Sequence, residues 1–537
     1  KMTTSIIISA VLAIVFVAAA AALSLRRDLT MFQQNSYRPE RYRRWLNESG
    51  ESTTAHRLGA LIVFLFVLTP FCPPMFGLGC IAGYSVIYGT WLLRRKYKKP
   101  LAMTHRAARI YAICCALAVL IAAAAWLVSA RTATSSEPLQ NGLLAAAEAL
   151  LLVCALPWLI VLGNTLLKPV EKSINKRYYN DARQRLKAMP ALKIIGVTGS
   201  YGKTTTKHYL QRILSERYET LMTPGSYNTT LGVIRTIREM LKPYHEVFIV
   251  EMGAKQTGDI KEICDLVEPS AGIITAVGPQ HLESFKTIEN VRDTKFELAD
   301  SIPADGIVII NNDFPMIATR EVGNTRCIRY GVSSEAGYKA ENITYTPEGT
   351  RFTVTAPDGW SLDLATRLVG ECNISNLLAA VAMARQLGVP DESIRYAVAR
   401  IEQVEHRLSI KRVPGGLTII DDAFNSNPVG SAMALDVLAA MTQGKRILIT
   451  PGMIELGEQQ HELNEQFGFK AASCCDIAIV VGRYNRDAIV AGLERGGMPA
   501  EAIRPVDTFA DAQQLLSASA AAGDTVLYEN DLPDTFK

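Results

Sequence analysis

The stretch Thr198-Gly199-Ser200-Tyr201-Gly202-Lys203-Thr204-Thr205-Thr206 decides the fold of the second part of this chain. An apolar run, residues 192–197, precedes it and a helical-looking segment, residues 207–218, follows it, which predicts a strand, a loop and a helix. Glycines let such a loop turn its N–H groups onto phosphate oxygens, and a lysine in it meets the β- and γ-phosphates. The sequence therefore predicts a nucleoside triphosphate site formed by Gly199, Ser200, Gly202, Lys203, Thr204 and Thr205.

A hydroxyl at the start of the helix completes such a site by holding Mg²⁺. Thr204 and Thr205 both stand at that point, and Thr204 is the predicted metal ligand. Val197 occupies the first glycine position of the general phosphate-loop pattern, so a chance Gly-Lys-Thr is the alternative interpretation. The flanking strand and helix favour the nucleotide site.

Two further apolar runs lead into polar residues at their carboxyl ends. Residues 247–250 lead to Glu251, and residues 271–277 lead to Gly278-Pro279-Gln280-His281-Leu282-Glu283. Open α/β sheets place ligand-binding groups at the carboxyl ends of their strands, and a carboxylate there can bind Mg²⁺. A charged strand end and a structural histidine remain the alternatives for Glu251 and His281.

The loop and the segments that follow it resemble the Mur ligases of bacterial cell-wall synthesis and their folylpolyglutamate synthetase relatives, whose nucleotide loop reads T-G-[ST]-x-G-K-T-T. The resemblance spans about residues 192–528. Within the family, three segments look like the branch that adds D-alanyl-D-alanine: T-P-G-S-Y-N-T-T-L-G at 223–232, D-D-A-F-N-S-N-P at 421–428 and P-G-M-I-E-L-G at 451–457. Each segment is weak alone, and their shared order is specific.

The resemblance implies a fold class and a chemistry. It implies a central α/β domain with the phosphate loop and a C-terminal Rossmann-like α/β domain. It also implies ATP-dependent, ADP-forming ligation of a carboxylate to an amine through an acyl phosphate, with ATP and Mg²⁺ as cofactors. Catalytic roles then fall to Lys203, Glu251, His281 and Lys295, and metal binding to Thr204, Glu251, His281 and Lys295.

Lys295, in D-T-K-F-E-L at 293–298, matches the lysine that the family carbamylates. A carbamate supplies an anionic oxygen where an ammonium group would repel Mg²⁺. A lysine on a helix surface, paired with Asp293 or Glu297, is the alternative.

The resemblance also implies nucleotide contacts, for Asn312, Asn373, Asn376, Arg407, Asp422 and Asn425. Asn373 and Asn376 could instead cap a helix. Three positions depart from the family pattern: Cys372 replaces a histidine, His406 replaces a glycine and Gly452 stands where an aspartate is usual. After the last strand, residues 524–528, the expected K-G-S is replaced by an acidic segment, 529–534. This end either attracts an amine substrate different from D-alanyl-D-alanine or is a solvated tail.

The first third of the chain is apolar. Residues 5–25, 110–130 and 144–167 are each long enough to cross the hydrocarbon layer of about 30 Å. Residues 58–93 are broken by Pro70, Pro73 and Pro74, which predicts two spans joined by a turn, and therefore five in all. The predicted organisation is a membrane domain at 1–167, a linker at 168–190, a central domain at 191–404 and a C-terminal domain at 405–537.

Charge predicts the orientation. The loops 26–57 and 94–109 are rich in arginine and lysine, which places them in the cytoplasm. The N-terminus is then outside a bacterial cytoplasmic membrane, and the ligase domains are inside. The chain has 56 basic and 52 acidic residues, and its net charge is therefore only +4. Because this charge is small, no nucleic-acid partner is expected. The 10 cysteines show no CxxC pair, which predicts buried thiols rather than disulfides or zinc ligands.

In Mur ligases a first domain binds the UDP-muramoyl peptide, whereas here predicted spans occupy that position. We therefore expect a carboxylate substrate presented at the bilayer, such as a lipid-linked envelope precursor, and an amine or amino-acid partner. One alternative is a ligase for soluble substrates that its spans merely tether. A second is an ATP-binding membrane scaffold or transport-linked protein derived from a Mur ligase. Cys372 and His406 favour the scaffold, and the joint presence of the four catalytic candidates favours the enzyme.

Overall fold

The computed structural model describes residues 2–49, 53–69, 71–97, 99–132, 138–346, 349–423 and 426–532. The chain divides into two compact units, Lys1–Ile174 with Leu532–Lys537, and Asn175–Asp531.

Helices build the first unit, and the last of them continues into the second unit. They are α1 (Met2–Gln34), α2 (Pro39–Glu48), α3 (Thr53–Val67), α4 (Pro74–Arg94), α5 (His105–Thr132) and α6 (Pro138–Lys187). Four stretches within them are long and apolar enough to cross a membrane: Ile8–Gln34, Pro74–Arg94, His105–Val128 and Gln140–Lys187. Large apolar side chains such as Ile87 and Val119 are 67% and 68% exposed, which suits contact with lipid rather than with water.

One of the five predicted spans corresponds to α3, which is shorter than the other apolar helices of this unit. Its 15 residues extend about 22 Å at a rise of about 1.5 Å per residue, short of the roughly 30 Å layer. The described residues therefore hold four candidate spans and a shorter apolar helix. Most of the predicted linker at 168–190 is helical, because α6 continues to Lys187.

Ion pairs and polar contacts join the helices of this unit. Asp28 of α1 is fully buried and lies 3.2 Å from both Arg27 and Arg57, which links α1 to α3. Arg109 of α5 pairs with Glu171 of α6 at 2.7 Å. Buried charges among apolar helices are stable only when paired in this way.

A nine-stranded sheet forms the first part of the second unit. Its strands are β1 (Lys193–Thr198), β2 (Thr220–Met222), β3 (Val247–Glu251), β4 (Ala271–Ile274), β5 (Ile307–Asn311), β6 (Arg326–Gly331), β7 (Tyr338–Thr346), β8 (Gly349–Thr355) and β9 (Ser361–Thr366). Their order is β2-β3-β1-β4-β5-β6-β7-β8-β9. Strands β1 to β7 pair in parallel, and β8 and β9 add antiparallel neighbours at one edge.

Helices cover this sheet on both faces. They are α7 (Lys203–Leu214), α8 (Thr230–Glu239), α9 (Asp259–Val267), α10 (Leu282–Phe285), α11 (Ile288–Ser301), α12 (Pro315–Ala318), α13 (Glu371–Gln386) and α14 (Asp391–Val398). Ile195 of β1 packs in one core cluster and Ile194 in another, because successive strand residues point to opposite faces. Burial on both faces explains why the parallel strands are continuous apolar runs.

A six-stranded sheet forms the rest of the unit. Its strands are β10 (Ser409–Arg412), β11 (Thr418–Asp422), β12 (Arg446–Thr450), β13 (Ile477–Val481), β14 (Ile503–Val506) and β15 (Thr525–Glu529), in the order β10-β11-β15-β12-β13-β14. Its helices are α15 (Pro428–Ala439), α16 (Gln460–Cys474), α17 (Arg486–Arg495) and α18 (Phe509–Ser519). Only β10 runs antiparallel to its neighbour in this sheet. The predicted fold class, apolar helices followed by two α/β parts, is confirmed.

Candidate active site

The phosphate loop connects β1 to α7 as predicted. Gly199 and Gly202 have φ of 149° and 75°, a backbone region that other residues rarely adopt. A Cβ atom at Gly199 would overlap Thr275 Oγ1, and one at Gly202 would overlap Asn376 Oδ1. Helix α7 begins at Lys203, so the loop ends at a helix N-terminus, where N–H groups and the helix dipole favour phosphate.

Lys203 folds its side chain back over this loop. Its Nζ donates hydrogen bonds to the carbonyl oxygens of Gly199 at 2.6 Å and Ser200 at 3.1 Å. Burial lowers the pKa of Lys203 to about 8, with Glu251 opposing the shift and Arg407 adding to it. The ammonium group therefore remains mainly protonated near pH 7 and can neutralise phosphate charge.

Glu251, at the end of β3, is the best-connected carboxylate of the site. Its Oε2 accepts a hydrogen bond from Lys207 at 2.9 Å, and its Oε1 accepts one from Asn228 at 3.0 Å and one from Thr204 at 3.1 Å. Burial raises the pKa of Glu251, but Lys207 and Lys203 outweigh burial and hold it below its usual range. Glu251 is therefore an ionised carboxylate directly beside the Thr204 hydroxyl.

Lys207, Asn228 and Thr223 are site residues that the sequence interpretation missed. Lys207 is fully buried and bonds to Gly225 O at 2.6 Å as well as to Glu251. Thr223 Oγ1 accepts the backbone N–H of Glu251 at 3.1 Å. The available signal was the four-residue spacing from Lys203, which places Lys207 one turn further on the same helix face.

Lys295 and His281 lie in the same electrostatic network. Lys295, on α11, is only 2% exposed, and burial together with Lys203 lowers its pKa to about 7. The backbone of His281 is left-handed, with φ of 52°, directly before α10. Burial lowers the pKa of His281, Glu455 opposes that shift, and Lys255 and Lys295 add to it. Electrostatic interactions thus link the four predicted catalytic residues, Glu251 with Lys203, Lys203 with Lys295, and Lys295 with His281.

The oxygen atoms near the loop suit Mg²⁺. Glu251 and Thr204 offer a carboxylate and a hydroxyl in mutual contact, and Mg²⁺ is usually bound through one or two carboxylates plus substrate phosphates. Within the described ranges, no group of three or more His, Cys, Asp or Glu side chains is arranged to hold a metal ion by itself. The protein atoms therefore fit a magnesium ion that nucleotide oxygens help to coordinate.

Three of the predicted nucleotide residues lie close to the phosphate loop or in its electrostatic environment. Asn376 Oδ1 accepts a hydrogen bond from Thr206 at 3.2 Å, beside Gly202. Burial lowers the pKa of Arg407, while Glu251 and Asp422 oppose the shift. Asp422 accepts the N–H of Leu408 at 3.1 Å, and burial raises its pKa to about 6. Arg407 therefore connects the C-terminal part to the site around Glu251.

Two other predicted residues have their side chains engaged by the fold itself. Asn373 bonds to Tyr209 and to Val369 O, both at 2.9 Å. Asn312 donates to Glu335 O at 2.7 Å and accepts from Arg329 at 3.0 Å. Their nucleotide contacts stay predictions, and Asn425 lies outside the described residues.

The departures from the family pattern have structural counterparts. Burial raises the pKa of Cys372 to about 12, so the residue is a neutral thiol, and it packs against the core of the C-terminal part. His406 Nδ1 lies 2.8 Å from Asp421. Gly452 has φ of 78°, and a Cβ there would come within 2.5 Å of Asn464 Oδ1, so the usual aspartate would not fit.

Glu529 is not part of a solvated tail. It is fully buried at the end of β15, where it pairs with Asp422 of β11 in the sheet. Its carboxylate oxygens accept hydrogen bonds from the Ser426 hydroxyl and from the Thr450 hydroxyl, the latter at 2.7 Å. Burial raises the pKa of Glu529 to about 7. Of the two interpretations of the acidic segment, the solvated tail does not hold for Glu529.

We expect Glu529→Gln to remove a pH-dependent loss of stability. The pKa of about 7 in the folded protein exceeds the ordinary glutamate pKa of 4.5. Between these pH values the carboxyl group is ionised in the unfolded chain but protonated in the folded protein. The free energy of unfolding therefore falls by about 3 kcal/mol as pH rises, and above about pH 7 it no longer changes for this reason. Between about pH 5 and about pH 8, the Tm of the variant should fall by less than the Tm of the wild type. Thermal unfolding in detergent measures this, and Glu494→Gln, on an exposed helix face, should behave like the wild type. Equal pH dependence of wild type and Glu529→Gln would contradict the prediction.

Comparison with known proteins assigns the family. Residues 197–384 match the sequence model of the Mur ligase middle domain, and residues 406–528 match that of the Mur ligase glutamate ligase domain. The chain belongs to the Mur ligase family. This Mur ligase is an ATP-dependent, ADP-forming amide-bond ligase with ATP and Mg²⁺ as cofactors, as predicted.

The relatives of this Mur ligase include UDP-N-acetylmuramoyl-tripeptide–D-alanyl-D-alanine ligases. The Bacillus subtilis enzyme is 27% identical over 63% of this chain and 72% of its own length. The Escherichia coli enzyme is 32% identical over 55% of this chain and 65% of its own length. The structure of MurF from Acinetobacter baumannii superposes with a TM-score of 0.60 at 27% identity, covering 66% of this chain and 77% of that one. The chain is therefore MurF-like, and both matched domains lie after residue 196.

Proposed function

We propose that this Mur ligase is anchored in the bacterial cytoplasmic membrane and joins an amine to a carboxylate of an envelope precursor presented at the bilayer. The buried cluster of Lys203, Lys207 and Glu251 carries the proposal, because it couples a phosphate loop to an ionised carboxylate and a hydroxyl. Such an arrangement suits phosphoryl transfer, in which positioning and charge neutralisation supply most of the catalysis.

The proposed chemistry has two steps. The substrate carboxylate attacks the γ-phosphorus of ATP, the bond to the β-phosphate oxygen breaks, and ADP leaves. The amine then attacks the acyl carbon, phosphate leaves with the acyl oxygen, and the nitrogen loses a proton. Lys203 and Arg407 would neutralise charge on the phosphates, while Glu251, Thr204, His281 and a carbamate on Lys295 would hold magnesium. A bound Mg²⁺ would offset the charge that develops on the transferring phosphoryl group.

The membrane part of the proposal rests on the first unit. Its candidate spans precede the matched ligase domains, and their exposed apolar side chains suit a lipid environment. The basic segments after α1 and after α4 favour a cytoplasmic location for both. We keep the N-terminus outside and the ligase domains in the cytoplasm, which requires an odd number of crossings. The shorter helix α3 is then the fifth crossing, paired with α4, and the bilayer thins around it.

Phosphate release by the full chain in detergent tests this function. We expect release to require both a lipid extract of bacterial membranes and one amine from a panel of amino acids and D-alanyl-D-alanine. Lys203→Ala protein purified in parallel is the blank for contaminating ATPases. Release with soluble UDP-muramoyl peptides and no lipid would show that the spans only tether the enzyme. ATP binding without amine-dependent release would favour the scaffold.

A further inference from the structure

A carboxylate from the C-terminal part reaches a predicted metal ligand of the central part. Glu455 Oε2 contacts His281 Nδ1, and the two side chains are only 12% and 17% exposed. The neighbouring backbone is also close, since a Cβ at Gly457 would lie 3.3 Å from the backbone nitrogen of Glu283. The segment 453–457 therefore packs directly on the turn that carries His281.

The segment around Glu455 is held in place by buried carboxamides. Asn464 is fully buried, accepts the N–H of Met453 at 2.9 Å and donates to Met453 O at 3.2 Å. Asn485 donates to Met453 O at 2.9 Å and to Pro451 O at 3.0 Å. Gln460 accepts the N–H of Leu456 at 3.1 Å. Three amide side chains thus fix the backbone on both sides of Glu455.

The backbone of Glu455 is itself unusual. Its φ is 63°, a left-handed conformation that costs a non-glycine residue roughly 1–2 kcal/mol. His281 is left-handed as well, with φ of 52°. Strained residues on both sides of one contact persist only where the surrounding structure enforces them, and such residues concentrate at functional sites.

We infer that Glu455 is a positioning residue that orients the His281 ring for metal binding. A histidine that binds a metal through one ring nitrogen almost always donates the other N–H to an oxygen, which fixes the tautomer and the ring plane. When that oxygen belongs to a carboxylate, its negative charge also raises the basicity of the metal-binding nitrogen, an effect that a glutamine amide cannot reproduce. Glu455 engages Nδ1, and this leaves Nε2 on the far side of the ring from the carboxylate. The inference rests on the proposed metal role of His281.

The position of Glu455 in the chain adds a consequence for regulation. His281 belongs to the nine-stranded sheet's loops, whereas Glu455 follows β12 of the six-stranded sheet. The orientation of His281 therefore depends on docking of the C-terminal part, as does the approach of Arg407 to Glu251. Completion of the metal site is thereby coupled to completion of the nucleotide site.

Glu455→Gln tests the inference, with Glu458→Gln as the matched control because Glu458 is exposed three residues further along. Mn²⁺ binding to full-length protein in detergent, with a non-hydrolysable ATP analogue, is followed by electron paramagnetic resonance. Loss of a carboxylate behind a metal-binding histidine weakens metal affinity about 10- to 100-fold. We expect that loss for Glu455→Gln, a matching rise in the Mg²⁺ concentration needed for ATP turnover, and wild-type behaviour for Glu458→Gln.

A double-variant comparison separates positioning from general damage. With His281→Ala already in place, Glu455→Gln should cause little further loss, because the two residues act through one contact. Unchanged Mn²⁺ affinity in Glu455→Gln, or equal losses with and without His281, would overturn the inference. If Lys203→Ala and His281→Ala abolish turnover while Glu455→Gln does not, only the inference fails. Absence of ATP turnover in the wild type would instead refute the proposed function, and the Mn²⁺ titration would still report on Glu455.

Discussion

Lys203→Ala should abolish ATP turnover while leaving the protein folded. The Nζ atom lies over the phosphate loop, bonded to the carbonyl oxygens of Gly199 and Ser200, and is held there by burial beside Glu251. Removing a positioned cation from developing phosphoryl charge costs about 10²- to 10³-fold in rate. Phosphate release under saturating ATP measures the loss, and circular dichroism with thermal unfolding checks that the fold persists.

A matched lysine control makes this result specific. Lys242 is exposed in the segment between α8 and β3, so Lys242→Ala removes the same charge from the surface. We expect its turnover to stay within about twofold of the wild type, since most surface substitutions have small effects. Comparable losses in the two variants would mean that Lys203 acts only through net charge. Wild-type turnover by Lys203→Ala would show that the phosphate loop is not the catalytic site.

Local features of the sequence predicted much of the fold. The residues predicted for the strand at 446–450 are those of β12, and the strand before Glu251 is β3 with one residue more. Buried parallel strands are continuous apolar runs, so their sequence signal is strong. The phosphate loop was equally clear, because the left-handed backbone at Gly202 requires a residue type that can be read directly.

Contacts between distant segments were not predictable in this way. The bonds from Asn228 to Glu251, from Glu455 to His281 and from Thr450 to Glu529 join residues 23, 174 and 79 positions apart. No local pattern encodes such pairs, and the burial of Glu529 could not be predicted because carboxylates are usually exposed. Polar composition at 168–190 predicted a linker without its conformation, which is helical because lysine, arginine and glutamate are good helix formers.

The second large effect is expected at Lys295. A lysine amine must be neutral to react with CO₂, and the pKa of Lys295, lowered to about 7 by burial and by Lys203, leaves much of it neutral near pH 7.5. We therefore expect carbamylation, and we expect turnover to rise with pH through about 7 as the neutral amine becomes available. Lys295→Arg keeps a cation that cannot form the carbamate. It should lose about 10²-fold or more in turnover, as expected when a charge-stabilising group at the site is replaced.

Carbon-13 spectroscopy distinguishes carbamylation from a simple need for a cation at Lys295. After exchange into ¹³C-labelled bicarbonate, the wild type should show a carbamate carbonyl signal that Lys295→Arg lacks. Depletion of CO₂ should lower wild-type turnover and leave the residual turnover of Lys295→Arg unchanged. If Lys295→Arg retains wild-type turnover, or if the wild type shows neither a carbamate signal nor a dependence on CO₂, then Lys295 acts as a buried cation. In that case, Glu251 and Thr204 would supply the protein oxygens at the metal site.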